Sequence, residues 1–177
     1  MSSPTSPDYH YALQLAIEAA RRAGQMLREE FHRPGGPRGS RAHAEVDEQA
    51  ERLIRQVLAA IPWGFRGEET GATPGVDHHH LWLIDPNDGT SAYLRGYRGP
   101  AVSIAALRDG VPILGVVHAY AYPDDNGDLI AWAEGCPLTR NGAVLRADLA
   151  PGTLVGGNGL PAIVFLSQDA DTAAAAN

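Results

Sequence analysis

The apolar residues of this chain keep two different periods, and the change between them near Pro62 is what most constrains its fold. Leu13, Ile17, Ala20, Gly24, Leu27 and Phe31 recur at spacings of three and four, which predicts a helix from about Tyr9 to Phe31 with one apolar stripe. A second helix is predicted from about Glu45 to Ala60. Its stripe is Val46, Ala50, Leu53, Ile54, Val57 and Ile61, and Pro62 stops it. The Gly- and Pro-rich stretch Arg33 to Arg41 reads as the loop between them. Beyond Pro62 the apolar runs become short. Trp63 to Arg66, Leu81 to Ile84, Ala101 to Arg108, Val111 to Ala119, Leu129 to Ala133 and Ala162 to Leu166 are strand candidates. Asp109-Gly110 is a two-residue hairpin signal, and Asn126-Gly127 and Asn141-Gly142 read as turns. The pattern is therefore α+β: two N-terminal helices layered on a mostly antiparallel sheet, with Leu13, Ile17, Leu53, Ile54 and Val57 expected in the interface. Residues 1–8 read as a disordered tail, 9–166 as one domain and 167–177 as a short closing tail.

Charge and residue usage exclude several classes. The net charge of −7 argues against nonspecific nucleic-acid binding, which needs basic surface to displace counterions. All 14 basic residues are Arg. With no Lys there is no P-loop lysine and no Schiff base, so P-loop NTPases, protein kinases and lysine-dependent aldolases are excluded on chemistry. The single cysteine, Cys136, excludes an internal disulfide framework and a four-cysteine zinc site, and reads as a small structural residue. The most apolar stretch, Val111 to Tyr122, is too short to span a bilayer, so no membrane association is expected. The first Arg is Arg21, after a Ser/Pro start, so no secretory leader is expected, and the expected compartment is the cytoplasm.

Two acidic clusters stand where strands are predicted to end. Gly67-Glu68-Glu69-Thr70 follows the first, and Asp85-Pro86-Asn87-Asp88-Gly89-Thr90 follows the second. Pro86 biases Asp85 toward an extended conformation, and Asp85 and Asp88, three apart around a turn, can point into one space. Gly89 lets the backbone pass close to a ligand. Packed like charges are costly unless a cation neutralises them, and an all-oxygen set favours a hard ion such as Mg²⁺ or Mn²⁺. The pentad alone reads equally well as a plain turn, because every residue type in it favours turns.

Gly67-Glu68-Glu69-Thr70 and Trp82 to Thr90 resemble the two leading motifs of the inositol monophosphatase family, a branch of the Mg²⁺-dependent, lithium-sensitive sugar phosphatases. Val46-Asp47, Ser91 to Gly96, Val102 to Ala105 and Gly115 to Val117 are similar to further segments of that family, and the likeness runs from about Leu13 to Leu166. The resemblance implies the N-terminal half of the family's αβαβα sandwich and a phosphomonoesterase acting on a small phosphorylated polyol, sugar or nucleotide. It implies that Glu68, Asp85 and the Asn87 carbonyl bind a first Mg²⁺, and Asp85 and Asp88 a second, with Mn²⁺ as a substitute. Asp47 and Thr90 would polarise the attacking water, with Glu69 as a supporting carboxylate. Gly89, Thr90 and Ser91 would meet the phosphate.

Three departures from the family pattern stand out. Asn87 replaces an aliphatic residue, which a carbonyl ligand tolerates, and Val46 replaces Thr, removing a hydroxyl near Asp47. The family's later Trp-Asp-x-x-Ala segment, whose Asp completes the second metal site, has no counterpart; Trp132 lies in Ala-Trp-Ala-Glu. The expectation is a truncated chain with impaired turnover, whose last strands expose apolar surface and allow a homodimer. A non-catalytic metal-binding or protein-interaction remnant of the fold is the alternative. His78-His79-His80 reads as a solvated loop and Gly156 to Gly159 as a loop without a dinucleotide fingerprint; Arg95 and Arg98, near the acidic motif, could steer a phosphate, but plain surface arginines are the commoner case.

Overall fold

The computed structural model describes residues 8–40 and 43–145, all but Leu145 within the compact unit Met1–Val144. The chain runs α1 (Tyr9–Phe31), β1 (Gly39–Ser40), β2 (His43–Ala44), α2 (Asp47–Leu58), β3 (Trp63–Gly67), β4 (Ala72–Thr73), β5 (Asp77–Asp88), α3 (Thr90–Leu94), β6 (Ala101–Arg108), β7 (Val111–Ala119), β8 (Asp128–Ala133), β9 (Thr139–Arg140) and β10 (Ala143–Val144). Of the tail expected at residues 1–8 only Asp8 is described, and it caps α1; residues 1–7, the tail 167–177, the strand Ala162 to Leu166 and the loop Gly156 to Gly159 lie outside the described residues.

Both long helices form where the apolar period demanded. Asp8 caps α1, its side chain accepting from the Tyr11 amide at 3.0 Å. Val46 stands at the cap of α2 without a side-chain hydrogen bond, so that helix is held by packing and by acidic Asp47 and Glu48 in its first turn. Leu13 and Ile54 are buried; Ile17, Leu53 and Val57 are partly buried and pack against the core. Small residues let α1 lie close: Ala12, Ala16, Ala19, Ala20 and Ala23 have no exposed surface. At Gly24 an added Cβ would meet His118 Nδ1 at 2.6 Å and Tyr120 Cβ at 2.9 Å, so the helix can approach the sheet only because this residue has no side chain.

The eight-stranded sheet has the order β10-β9-β8-β7-β6-β5-β3-β4. Every pair is antiparallel except β3 with β5, which are parallel with α2 preceding β3. Asp109 and Gly110 both take positive φ (50° and 81°) at the β6–β7 turn, the backbone that a two-residue hairpin requires. Period-two alternation then divides the sheet. Trp82, Ala106, Leu114 and Ala133 stand in register beneath the helices, as do Ile84, Ile104, Val116 and Ala131, and all are buried. The other face carries the row Asp85, Ser103, Val117 and Ile130, and beside it Leu83, Ala105, Gly115 and Trp132. Val117 is 46%, Ile130 40% and Trp132 37% exposed, so no described element covers this face. No helix among the described residues is long and apolar enough to cross a membrane.

His78-His79-His80 is not a loop. The three residues follow Asp77, the first residue of β5, and His80 is buried with Nδ1 2.6 Å from Asp77 Oδ2 and Nε2 3.0 Å from the Tyr9 hydroxyl. His78 and His79 remain exposed, so two of the three histidines face water and only His80 turns into the core. Arg98 is likewise no free phosphate guide: it donates to Asp125 Oδ1 at 2.7 Å and to the Ala121 carbonyl at 2.9 Å, fixing the 120–127 loop. Arg95 donates through Nε to the Ser91 carbonyl at 3.1 Å.

Candidate active site

Pro86 has no amide hydrogen to give the ladder, and the pairing of β5 with β6 shifts register between Asp85 and Asp88. Asp85 pairs with Ser103 and Asp88 with Ala101, so three steps on one strand oppose two on the other. The irregularity turns Asn87 into the core, almost fully buried, and leaves Asp88 exposed. β3 ends alongside: the Glu68 amide donates to the Ile84 carbonyl at 3.2 Å, which brings the Glu68 turn next to Asp85.

Glu68, Asp85, Asn87, Asp88, Gly89, Thr90 and Ser91 line one cleft of about 260 Å³. The Asp85 carboxyl is pushed up to about 7, first by burial and then by the neighbouring Glu68 and Asp88 charges, against the Asn87 amide that donates to its Oδ1 at 3.0 Å. Asp47 reaches the back of the cleft from the start of α2. It is buried, and burial raises its carboxyl although it accepts from Asn87 Nδ2 at 2.9 Å, the Ala44 amide at 3.2 Å and the Thr90 hydroxyl at 3.2 Å. The single Thr90 hydroxyl proton is shared between Asp47 Oδ2 and the Asn87 carbonyl, which lies nearer at 2.9 Å. Glu69 stands outside the cleft lining, 3.7 Å from His43 Nδ1, and its carboxyl too is raised, chiefly by burial and then by Asp47. Gly89 takes φ 98°, a left-handed backbone that lets the chain turn straight from β5 into α3.

The side chains of Glu68, Asp85 and Asp88 bring carboxylate oxygens to one cleft, with only Asp85 partly buried, and oxygen donors of this kind suit a hard divalent cation. Among the described residues no three Asp, Glu, His or Cys side chains form a group able to hold a metal ion together. Glu68, Asp85 and Asp88 line the same cleft, but their carboxylates do not close into a three-ligand cluster. A cation here would take Glu68, Asp85 and the Asn87 carbonyl, with water completing its shell.

Two residues of the site escaped the sequence reading. Glu51 is fully buried and accepts from the Glu69 and Thr70 amides, each at 2.8 Å, and from the Thr70 hydroxyl. Its spacing of four from Asp47 was the available signal, since both then share one helix face. Tyr120, also buried, donates its hydroxyl to Asn87 Oδ1 at 2.6 Å, and burial raises its phenol. Asn87, read from sequence as a neutral replacement for an aliphatic residue, is therefore a buried polar bridge between Asp47 and Tyr120.

Two helices on one face of a largely antiparallel sheet, with an acidic cleft where β3 and β5 end, make this an α+β protein whose candidate site lies at the strand ends. The sequence profile of the Inositol monophosphatase family matches residues 8–173, and the chain belongs to that family. It is 36% identical over 113 residues to the inositol-1-monophosphatase of Mesorhizobium japonicum, covering 60% of this chain and 42% of that one. It is 31% identical over 163 residues to the histidinol-phosphatase of Chlorobaculum parvum, covering 89% and 59%. The solved inositol monophosphatase of Anabaena superposes with a TM-score of 0.68 at 27% identity, covering 84% of this chain and 54% of that one. The chain thus spans about half the length of the relatives it matches.

Proposed function

We propose that this chain is a Mg²⁺-dependent phosphomonoesterase for a small phosphorylated polyol, sugar or nucleotide. The observation that carries the reading is the shared cleft of Glu68, Asp85 and Asp88 against the Asp47–Thr90 pair. Glu68, Asp85 and the Asn87 carbonyl are the ligands of one ion, and Asp85 and Asp88 of a second; Mn²⁺ substitutes for Mg²⁺. Ions bound there would supply a polarised water and charge balance for the departing oxygen. Asp47 and Thr90 hold that water, Asp47 Oδ2 accepting from the Thr90 hydroxyl so that both face one point. The amides of Gly89 and Thr90, and Ser91 beside them, meet the phosphate. Glu69 supports the carboxylates from behind. The cytoplasm is the proposed compartment.

A second reading, a non-catalytic binding remnant, rests on the uncovered sheet face of Val117, Ile130 and Trp132, which would seat a partner such as a second copy. One experiment separates the two. Phosphate release is measured on inositol phosphate, fructose bisphosphate and 3′-phosphoadenosine 5′-phosphate, with and without Mg²⁺, for the chain and for Asp85→Asn. Slow, Mg²⁺-dependent release that Asp85→Asn removes supports the phosphatase reading. Release that ignores Mg²⁺ or survives Asp85→Asn overturns it, and no release on any substrate favours the remnant.

A further inference from the structure

A fully buried carboxylate is costly unless its charge is met, and no cation of the described residues meets that of Glu51. Its oxygens are taken up by one turn instead. Oε2 accepts from the Glu69 amide and Oε1 from the Thr70 amide, each at 2.8 Å, and Oε1 also accepts from the Thr70 hydroxyl. The hydroxyl gives its single proton to Glu51 and accepts from Arg55 Nη2 at 2.6 Å, so Arg55, Thr70 and Glu51 form a directed relay. Gly67 completes the cradle: a Cβ there would lie 2.1 Å from Glu51 Oε1. Asp47, Glu51 and Arg55 follow one another at spacings of four on α2, so one helix face reaches the Asn87–Thr90 turn with its first residue and the 67–73 turn with the other two.

We propose that Glu51 is a positioning residue: through the amides of Glu69 and Thr70 it fixes the turn that presents Glu68 to Asp85, and so sets the cleft's affinity for a hard divalent cation. The inference rests on the metal-dependent reading of the cleft. Glu51 touches neither ion nor substrate. It acts by limiting where the Glu68 backbone can stand, since two amides on one rigid carboxylate leave that turn little freedom.

The test is Mn²⁺ uptake by the 177-residue chain, read from the loss of the free-ion paramagnetic resonance signal, together with hydrogen exchange at the Glu69 and Thr70 amides. Glu51→Gln places an amide group against two N–H donors and is expected to weaken Mn²⁺ binding about tenfold or more while speeding exchange at both amides. Should Glu51→Gln fail to fold, Thr70→Val decides, since it removes one hydroxyl near the surface. A weakening of about threefold or more is expected for Thr70→Val, with Thr70→Ser within about twofold of the parent chain. A residue that only supported the fold would lower the melting point without moving Mn²⁺ affinity in the folded protein. Asp85→Asn serves as the control. Binding that Asp85→Asn leaves intact defeats the cation assignment itself. Binding that Asp85→Asn abolishes, but that Glu51→Gln or Thr70→Val leaves at parent strength, defeats the positioning role alone. Absence of Mn²⁺ uptake by the parent chain defeats both.

Discussion

Asn87 donates through Nδ2 to Asp47 Oδ1 at 2.9 Å, joining the two acidic elements of the cleft across forty residues of chain. The same amide accepts from the Tyr120 hydroxyl at 2.6 Å, so one buried side chain ties α2, β5 and the end of β7 together. The register shift around Pro86 is what turns Asn87 inward to make these contacts.

Replacing Asn87 by Leu is expected to destabilise the chain by about 2 kcal/mol, because it leaves both Asp47 Oδ1 and the Tyr120 hydroxyl buried without a partner. Urea denaturation measures the loss. Tyr120→Phe added to Asn87→Leu should cost less than the sum of the two single changes, since it removes one of the orphaned groups. A stability of Asn87→Leu equal to the parent's would show the bridge to be idle.

Gly24→Ala should cost about 1–3 kcal/mol despite the better helix propensity of Ala, because the new Cβ meets the buried His118 ring and Tyr120 Cβ below 3.0 Å. The same change at Gln25, exposed on α1, should be nearly neutral. Thermal unfolding of both variants checks the pair.

His118 is held below the ordinary imidazole range, first by burial, then by the charges of Arg21 and Arg28, against the Ala20 carbonyl at 3.0 Å and Asp128, which favour the charged form. A depressed folded-state pKa means that the unfolded chain takes up the proton first. The contribution of His118 is therefore complete above about pH 6.5 and falls away as pH drops below it toward the folded value. His118→Gln should flatten this part of the stability profile between pH 7.5 and 5. Parallel urea midpoints for parent and variant over that range would sink the assignment.

Without added metal, Asp85→Asn is expected to raise stability on the order of 1 kcal/mol, because it removes one of the acidic groups crowded into the cleft. With Mn²⁺ the order should reverse: the parent gains melting temperature by mass action and Asp85→Asn does not. Differential scanning fluorimetry across a Mn²⁺ series reads both effects. A variant less stable than the parent in the absence of metal would show that the crowding carries no cost.

Much of the fold could be read from periodicity. α1 stands at its expected bounds, and the Asp109-Gly110 hairpin and β8 fall where apolar runs and turn residues put them. The expected interface residues Leu13 and Ile54 are buried, with Ile17, Leu53 and Val57 at its edge. The histidines of β5 misled, because Gly and Pro on the N-terminal side suggested a loop while the strand pairing begins at Asp77. Glu51 was passed over because a charged residue beside an apolar stripe ordinarily faces water.

The sequence by itself determined the α+β layering, the places of the acidic segments at the ends of β3 and β5, and the family. Each of these depends on residues near in the chain, whose period, turn chemistry and motif spacing are local. Only the tertiary structure decided that Glu51 grips the Glu68 turn, that Asn87 is a core bridge, and that Asp85 shares its sheet face with the uncovered Val117 and Ile130. Those relations depend on strand register and on how closely α1 and α2 lie on the sheet. A shift of one residue in pairing exchanges the two faces of a strand, and no local pattern specifies which distant polar group will be waiting on the other side.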